Sequence, residues 1–244
     1  MSYIITNKMV RKSGLCLANR IRELGGPELG VSIKPIPDNQ VSIRWGTSQM
    51  IYGKETGFNS PQVIRMVANK YLLSTELLRN GFPHVVINSG TPEQFPVVVR
   101  KELSKSGGKG IVICRDEAEF IPLREYMWSY WVNFRYELGV HILGGEIVKI
   151  FKKLWIGTEP EPEFPIKNSD RDYSFSICKL ESFKRLPEIV RNLISIVPIQ
   201  FGRIDIGWDE EEGQYKVIEI NSAPGLSEND STLNLYAEFL MKRI

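Results

Sequence analysis

The sequence predicts an α+β fold in which short sheets alternate with amphipathic helices. Two pairs of segments that read as strands, 135–143 with 146–153 and 201–208 with 214–221, are each joined by a turn and predict antiparallel hairpins. Near the amino terminus a strand, a helix and a second strand predict a small α/β lobe. With 244 residues, 42% of them hydrophobic, the chain can bury a substantial core.

Charge and cysteine content argue against several classes of protein. The chain has 31 Lys and Arg against 29 Asp and Glu, and the net charge of +2 gives no strong field for nucleic acid or a membrane surface. Cys16, Cys114 and Cys178 lie far apart and form no CxxC pair, which argues against a disulfide framework or a zinc site. The sequence lacks an apolar run of roughly 18 residues and a secretory segment, so we expect a cytoplasmic protein without a membrane span.

The amino-terminal elements are predicted as a strand over 3–6, a helix over 13–24 and a strand over 40–45, with a loop before the second strand. Ser13 is expected to cap the helix, and Gly25, Gly26 and Pro27 end it. The expected apolar side of this helix consists of Leu15, Ala18, Ile21 and Leu24. From Pro61, two helical segments run to Gly81 and meet near Asn69 and Lys70.

Residues 95–113 predict a hairpin with a flexible loop, formed by a strand over 96–100, a Ser, Gly and Lys loop over 104–110 and a returning strand to 114. Glycines let backbone N–H groups approach phosphate, and Lys101, Lys105 and Lys109 add positive charge. A plain flexible turn explains the loop at least as well, and no Walker or dinucleotide pattern is present. Beyond it we expect a helix over 116–124, a strand over 126–132, and helices over 186–196 and 229–243.

The last hairpin carries an acidic side. Strand alternation places Glu219 and Asn221 on one face, which Asp205 on the first strand can reach. Such hard oxygen ligands suit Mg²⁺ held between protein carboxylates and nucleotide phosphates. An ordinary hairpin with acidic residues facing solvent explains these residues equally well. The segment 222–226, SAPGL, ends the strand abruptly and favours the metal site, because the acidic end then faces a turn.

The stretch RIDIGWDEEEGQYKVIEINSAPGL, residues 203–226, resembles the metal-binding signature D…(V/L)E(V/I)N…PG of the ATP-grasp superfamily. The resemblance covers residues 69–226, with four motifs in the family order, and is closest to the carboxylate–amine ligases, which include the ribosomal-protein glutamate ligase and phage-encoded amide ligases. It implies Mg²⁺ on Asp205, Glu219 and Asn221. It also implies a short α/β lobe, residues 1–66, and two α+β subdomains, 67–128 and 129–244, that clasp ATP.

Three further resemblances imply the nucleotide contacts. Asn69 and Lys70 match the family's NK or DK pair, which implies that Lys70 contacts phosphate. FPVVVRKELSKSGGKGIVI resembles P(V/L)V(V/I)K…G.GG.GV. This match implies a phosphate contact from Lys101 and a lid that contains Ser106, Gly107, Gly108 and Gly110, while Arg100 is expected to face the other side of the strand. Tyr130 and Trp131 fall at the family's adenine-binding hinge, although core packing explains these aromatic residues equally well.

The hairpin over 135–153 resembles E(F/Y)RVHVxxGKV of amide-forming members. This implies that Glu137 bonds the ribose hydroxyls and that Lys152 or Lys153 faces the transferred phosphate. Gly139 stands where the family has arginine, which leaves one anionic contact unassigned, and His141 is interpreted as structural. The segment IKNSDRDYSF resembles (I/V)RNxxNGWxF, which places Lys167 and Asn168 near the acceptor or the phosphates.

The implied chemistry is ATP-dependent amide formation. A carboxylate attacks the γ-phosphate to give an acyl phosphate and ADP, and an amine then displaces phosphate. Lys70, Lys101, Lys153 and Arg203 would offset the developing charge, with Arg203 and Lys153 as the catalytic residues. The implied partners are small-molecule or peptide carboxylates and amines, and an oligomer is compatible with the sequence. A small-molecule kinase of the same fold and a non-catalytic nucleotide-binding or partner-binding protein are the alternatives; the intact metal ligands argue against the latter.

Overall fold

A computed structural model describes residues 2–8, 10–34, 41–48, 54–55, 58–103, 110–167, 172–226 and 231–244. The strands in chain order are β1 Ser2–Thr6, β2 Leu29–Ser32, β3 Val41–Trp45, β4 Lys54–Glu55, β5 Val97–Arg100, β6 Ile111–Cys114, β7 Met127–Tyr130, β8 Phe134–Leu143, β9 Glu146–Trp155, β10 Tyr173–Cys178, β11 Phe201–Asp209 and β12 Gln214–Asn221. The helices are α1 Arg11–Glu23, α2 Pro61–Ala68, α3 Lys70–Arg79, α4 Glu117–Phe120, α5 Leu186–Ile196 and α6 Ser231–Met241. No helix in these ranges has the length and apolar composition to cross a membrane.

The amino-terminal sheet is parallel and has the strand order β2-β1-β3-β4. Helix α1 packs on it together with α6, and both helices contribute to one buried apolar cluster. Trp45, at the end of β3, is fully buried and stacks on Phe201 with ring centroids 5.4 Å apart. The amino-terminal lobe is therefore packed against the start of β11.

Three expectations for this lobe are wrong. Strand β2 occupies part of the predicted loop, because its short segment becomes a strand only through its pairing with β1. Ser13 does not cap α1: the helix begins two residues earlier, and the Ser13 hydroxyl donates to the Val10 carbonyl at 2.9 Å and accepts from Trp45 Nε1 at 2.9 Å. The apolar side of α1 is shifted as well, since Leu15 and Leu24 are exposed while Leu17 and Ile21 are buried.

The central sheet is antiparallel and has the order β6-β5-β7. Its core contains Val97, Val99 and Trp128, with Phe120 from the short helix α4 packed against them. Asp116 begins that helix, and its side chain accepts a hydrogen bond from the Glu119 N–H at 2.9 Å.

The largest sheet is antiparallel and has the order β10-β9-β8-β11-β12. One face is covered by α2, α3 and α5, and these elements share one core, which includes Leu138, Val140, Ile204, Leu73 and Leu193. Burying each of these side chains contributes about 1.5–3 kcal/mol relative to leaving it exposed. The β8–β9 turn uses two glycines with φ of 62° and 87° at positions 144 and 145, a conformation that favours glycine.

The opposite face of this sheet, here called the open face, carries polar side chains. Alternation places Glu137, Gly139 and His141 of β8 on it, and the strand register pairs Asp205 with Gly139 and Arg203 with His141. The face that α2, α3 and α5 leave uncovered is therefore the one that bears the residues singled out in the sequence.

Candidate active site

A cavity of about 300 Å³ lies between the central sheet and the open face of the five-stranded sheet. Strands β5, β6 and β7 form one wall, and β8 to β12 form the other. The cationic side chains that line it are Lys70, Arg100, Lys153, Lys167 and Arg203, and the acidic ones are Glu137, Asp205 and Glu219. The lining has a formal net charge of +2, which favours a polyanionic ligand.

Arg203 and Asp205 form a forked ion pair on β11. The Nε of Arg203 donates to Oδ1 of Asp205 at 2.8 Å, and Nη2 donates to Oδ2 at 3.0 Å. The two residues are separated by one position and thus share a face of the strand. The charge of Asp205 raises the pKa of Arg203 above its usual range, although burial acts in the opposite direction. The pair fixes both the position and the charge of the guanidinium.

Glu219 lies opposite Asp205 on β12 and is also paired with a cation. Its Oε2 is 2.8 Å from Lys70 Nζ, and its Oε1 accepts from Asn221 Nδ2 at 3.0 Å. Burial by itself raises the pKa of Glu219, but the Lys70 charge and these hydrogen bonds outweigh it and lower the pKa to about 2. Lys70 is positioned because Asn69 caps α3 with its side chain, which accepts from the Tyr71 and Leu72 N–H groups.

Lys153 on β9 completes the charged centre. Its Nζ donates to Glu137 Oε2 at 2.8 Å and is 3.8 Å from Asp205 Oδ2. Burial favours a lower pKa for Lys153, but the charges of Asp205 and Glu137 outweigh it and raise the pKa above its usual range. Lys153 therefore remains a cation at neutral pH.

Arg100, and not Lys101, lines the cavity from the central sheet, which corrects the expectation from the sequence. Val98 and Arg100 are two positions apart and face the cavity together, whereas the Lys101 side chain is exposed after the end of β5. Arg100 is only 8% exposed and donates to Ser129 Oγ at 2.8 Å and to the Val98 carbonyl at 3.1 Å. Burial lowers the pKa of Arg100 to about 10 against the opposing charge of Glu219. Its Nε is buried without a hydrogen-bond partner among the described residues.

A signal for Arg100 is present in the sequence, because PVVVR over 96–100 matches P(V/L)V(V/I)K with arginine in place of the lysine. The spacing from Gly108 and Gly110, which lie beyond the intervening loop, instead indicates Lys101, one residue later. Ser129, Phe175 and Ile218 also line the cavity, and no sequence motif indicates these three residues.

The other expected nucleotide contacts are placed as follows. Tyr130 and Trp131 line the cavity between β7 and β8, and the Trp131 N–H donates to the Pro96 carbonyl at 3.1 Å. Lys167 lines it too and donates to the Phe134 carbonyl at 3.1 Å. Gly110 and Asn221 are described but are not among the lining residues, and Asn221 reaches the site through Glu219. Further expected contacts lie outside the described residues: Ser106, Gly107, Gly108 and Asn168.

Gly139 leaves room for Arg203. A Cβ at position 139 would lie 3.2 Å from Arg203 Cδ, so the arginine side chain lies directly over the glycine backbone. His141 is buried, with Nδ1 3.1 Å from the Tyr236 hydroxyl and its ring in edge contact with Phe151, as expected of a structural histidine.

The oxygen donors present fit magnesium better than a transition metal. Among the described residues there is no group of three or more His, Cys, Asp and Glu able to hold a metal ion. Mg²⁺ is usually held by one or two carboxylates together with substrate phosphates, and Asp205 and Glu219 are two carboxylates that line one cavity.

Solved structures share this architecture. A D-alanine–D-alanine ligase from Bacillus anthracis matches with a TM-score of 0.70 and 13% identity, over 99% of this chain and 96% of that chain. The ATP-grasp ligase PsnB, complexed with a minimal precursor, matches with a TM-score of 0.70 and 11% identity, over 100% of this chain and 99% of that chain. The chain has the ATP-grasp fold. The predicted fold class is thereby confirmed.

A third similar structure is longer than this chain. N5-carboxyaminoimidazole synthetase from Staphylococcus aureus, complexed with ADP, has a TM-score of 0.68 and 12% identity, over 100% of this chain and 78% of that chain. No protein-family model and no curated protein matches the sequence.

Proposed function

We propose that the protein is an ATP-dependent ligase that joins a carboxylate to an amine through an acyl phosphate and releases ADP and phosphate. The observation that carries this proposal is the cluster of Arg203, Asp205 and Glu219 on the open face of an ATP-grasp sheet, inside a cavity with an excess of positive charge. Two of the similar structures are titled as ligases, and PsnB has been solved with Mg and ADP. Those titles support the activity, while the similarity itself concerns the fold.

The cavity residues suggest how ATP would lie. We place the adenine beside Tyr130 and Trp131, the ribose near Glu137, and the phosphates near Lys70 and Arg100. Asp205 and Glu219, with the Asn221 side-chain oxygen, would hold Mg²⁺, which neutralises phosphate charge when bound. The central-sheet phosphate contact is thus assigned to Arg100 in place of Lys101.

Arg203 and Lys153 act in this proposal as fixed cations. Each donates to a carboxylate, and the pKa of each is held above its usual range, so neither is suited to accept a proton from the substrate. Lys153 offsets the charge of the transferred phosphoryl group. Arg203, held by Asp205, stabilises the oxyanion that forms when the amine attacks the acyl carbon. Such preorganised charges act without reorganisation during the reaction.

The substrates are proposed to be small-molecule or peptide carboxylates and amines. A PsnB structure titled as a complex with precursor peptide PsnA2 and AMPPNP supports a peptide as one class. We also propose a division of the chain into three parts, 1–66, 67–128 and 129–244. The presence of three sheets supports the number of parts, while the two boundaries fall inside α2 and β7. The proposed location is cytoplasmic.

The test is ADP release with product mass over a matrix of amino acids and short peptides offered as acids and amines. We expect ADP and phosphate together with a new mass equal to acid plus amine minus water. Hydroxylamine should trap a hydroxamate when the amine is omitted, with one ADP per adduct.

Glu219→Gln is the matched control, because it removes the charge at the metal site with little change of shape. It should lose ADP release. A phosphorylated product without an amide would instead identify a kinase, and AMP as the stoichiometric product would contradict the acyl-phosphate route.

A further inference from the structure

The open face carries an apolar surface beyond the charged centre. It consists of Phe151 on β9 and of Phe175 and Ile177 on β10, and we call these three residues the apolar shelf. Phe175 is 41% exposed and Ile177 is 63% exposed. None of the three belongs to a buried core cluster of the described residues. Adjoining exposed apolar side chains of this kind typically mark a binding surface.

The strand register brings the apolar shelf next to Arg203 and Asp205. Asp205 pairs with Gly139, Gly139 pairs with Phe151, and Phe151 pairs with Ile177, so these positions form one row across the open face. Neighbouring strands are about 5 Å apart, which places Ile177 about 10 Å from Gly139. Gly139 has no side chain, so β8 places no side chain in this row between Asp205 and Phe151. The side chain of Arg203, which pairs with His141 in the adjacent row, extends over Gly139.

The shelf is also continuous with the cavity. Phe175 pairs with Lys153 across β10 and β9, and both side chains line the cavity. Phe151 contacts Phe175, with ring centroids 6.4 Å apart, and is held on its other side by the edge contact with His141 at 5.6 Å. A ligand that leaves the charged centre along this row meets Phe151 and then Ile177, and the Lys149 ammonium lies 5.1 Å from the centroid of the Phe151 ring.

We propose that the apolar shelf binds the apolar side chain of the carboxylate substrate while its carboxylate lies at Arg203. This inference rests on the proposed ligase function and adds the substrate class to it. The surface is cationic at one end and apolar at the other, which matches an amphipathic acid. The substrate is accordingly an amino-acid or peptide carboxylate with an aromatic or branched aliphatic group about 5–10 Å from the carboxyl carbon, the distance spanned by one to two strand spacings.

The experiment compares two probes of equal charge, N-acetyl-phenylalanyl-glycine and N-acetyl-glycyl-glycine, because a phenylalanine one residue before the carboxyl group places its ring in the range of about 5–10 Å. Their binding to the full chain, saturated with Mg²⁺ and AMPPNP, is measured by calorimetry. We expect the phenylalanine derivative to bind at least about tenfold more tightly. Ile177→Ser should remove most of this preference and leave the binding of N-acetyl-glycyl-glycine unchanged.

Ile156→Ser is the matched control, since Ile156 is equally exposed at 63% and does not line the cavity. It should leave both affinities unchanged. Equal affinities for the two probes, no detectable binding of either, or equal effects of the two substitutions would overturn the apolar shelf as a substrate site.

Nucleotide binding, measured before the probes are added, separates the two proposals. Failure to bind Mg²⁺ and AMPPNP would contradict the proposed function. Intact nucleotide binding without a preference between the probes would contradict the shelf alone.

Discussion

Replacing Ser74 with alanine would break a buried chain of hydrogen bonds that ties α3, and thereby Lys70, to the segment before the central sheet. The Ile87 N–H donates to Ser74 Oγ at 2.9 Å, and the Ser74 hydroxyl donates to His84 Nε2 at 3.0 Å. His84 Nδ1 faces the Phe82 carbonyl at 2.7 Å, so the proton of the neutral ring is assigned to Nδ1.

The size of the effect follows from the groups that lose their partners. Ser74 and His84 are 4% and 7% exposed, so water is largely excluded from both. Ser74→Ala leaves the Ile87 N–H and His84 Nε2 without partners, at a cost of about 1–3 kcal/mol each. We therefore expect a loss of about 2–6 kcal/mol in the free energy of unfolding and a fall in Tm of roughly 4–24 °C.

Thermal and urea unfolding of Ser74→Ala would measure this loss. Thr75→Ala is the matched control, since its hydroxyl donates to the Tyr71 carbonyl on the exposed side of the same helix. We expect it to change the free energy of unfolding by less than about 0.5 kcal/mol. Equal effects of the two substitutions would refute the argument.

The same network predicts a pH dependence. Burial lowers the pKa of His84 below its ordinary value of 6.5, and nearby Lys216 acts in the same direction, although the backbone groups of Phe82 and Ser74 favour the charged ring. Above pH 6.5 the ring is neutral in the folded and the unfolded chain, so its titration does not change the free energy of unfolding. As the pH falls below 6.5, the unfolded chain binds a proton that the folded chain does not, and stability decreases down to the folded pKa. His84→Asn should weaken this dependence, and an unchanged slope would contradict it.

Three further predictions concern the cavity. Arg203→Ala should lower amide formation on the order of a hundred- to a thousandfold. Its affinity for ATP should change far less, and unchanged turnover would contradict the assignment. Arg100→Ala should weaken AMPPNP binding roughly tenfold to a hundredfold, whereas Lys101→Ala should leave it nearly unchanged. If a nucleotide titration shows the larger loss for Lys101→Ala, Lys101 is the phosphate contact. Glu219→Ala should abolish turnover while circular dichroism still reports a folded protein, and a folded variant with full activity would rule out the metal site.

Elements with a strong local signal could be predicted from the sequence. Helix α5, Leu186–Ile196, and strand β12, Gln214–Asn221, have the expected bounds, because an apolar period and a turn or proline define each of them. Strand β2 could not be predicted, since its four residues are held by pairing with β1 rather than by their own propensity.

The site was predictable where spacing on one strand decides the geometry. Arg203 and Asp205 share a face because they are two residues apart, and the register of the hairpin places Glu219 opposite Asp205. The cation that lines the cavity from the central sheet could not be predicted in this way, because successive side chains of a strand point to opposite faces. A shift of one residue in the match therefore moves the predicted side chain to the other face. That is why Lys101 was expected where Arg100 lies.

The charges of the cavity imply one more property of the reaction, concerning the amine. Lys153 and Arg203 are protonated donors to carboxylates, and Glu219, with a pKa of about 2, is too weak a base to deprotonate an amine efficiently. The described lining residues include no histidine or cysteine. We therefore expect the amine to enter as its free base, so that kcat/KM for amide formation rises with pH up to the pKa of the amine itself. For two amine substrates of different pKa, the rising parts of the two pH profiles of kcat/KM should then be displaced by the difference between the two pKa values. If kcat/KM rises over the same pH range for both amines, the protein supplies the base.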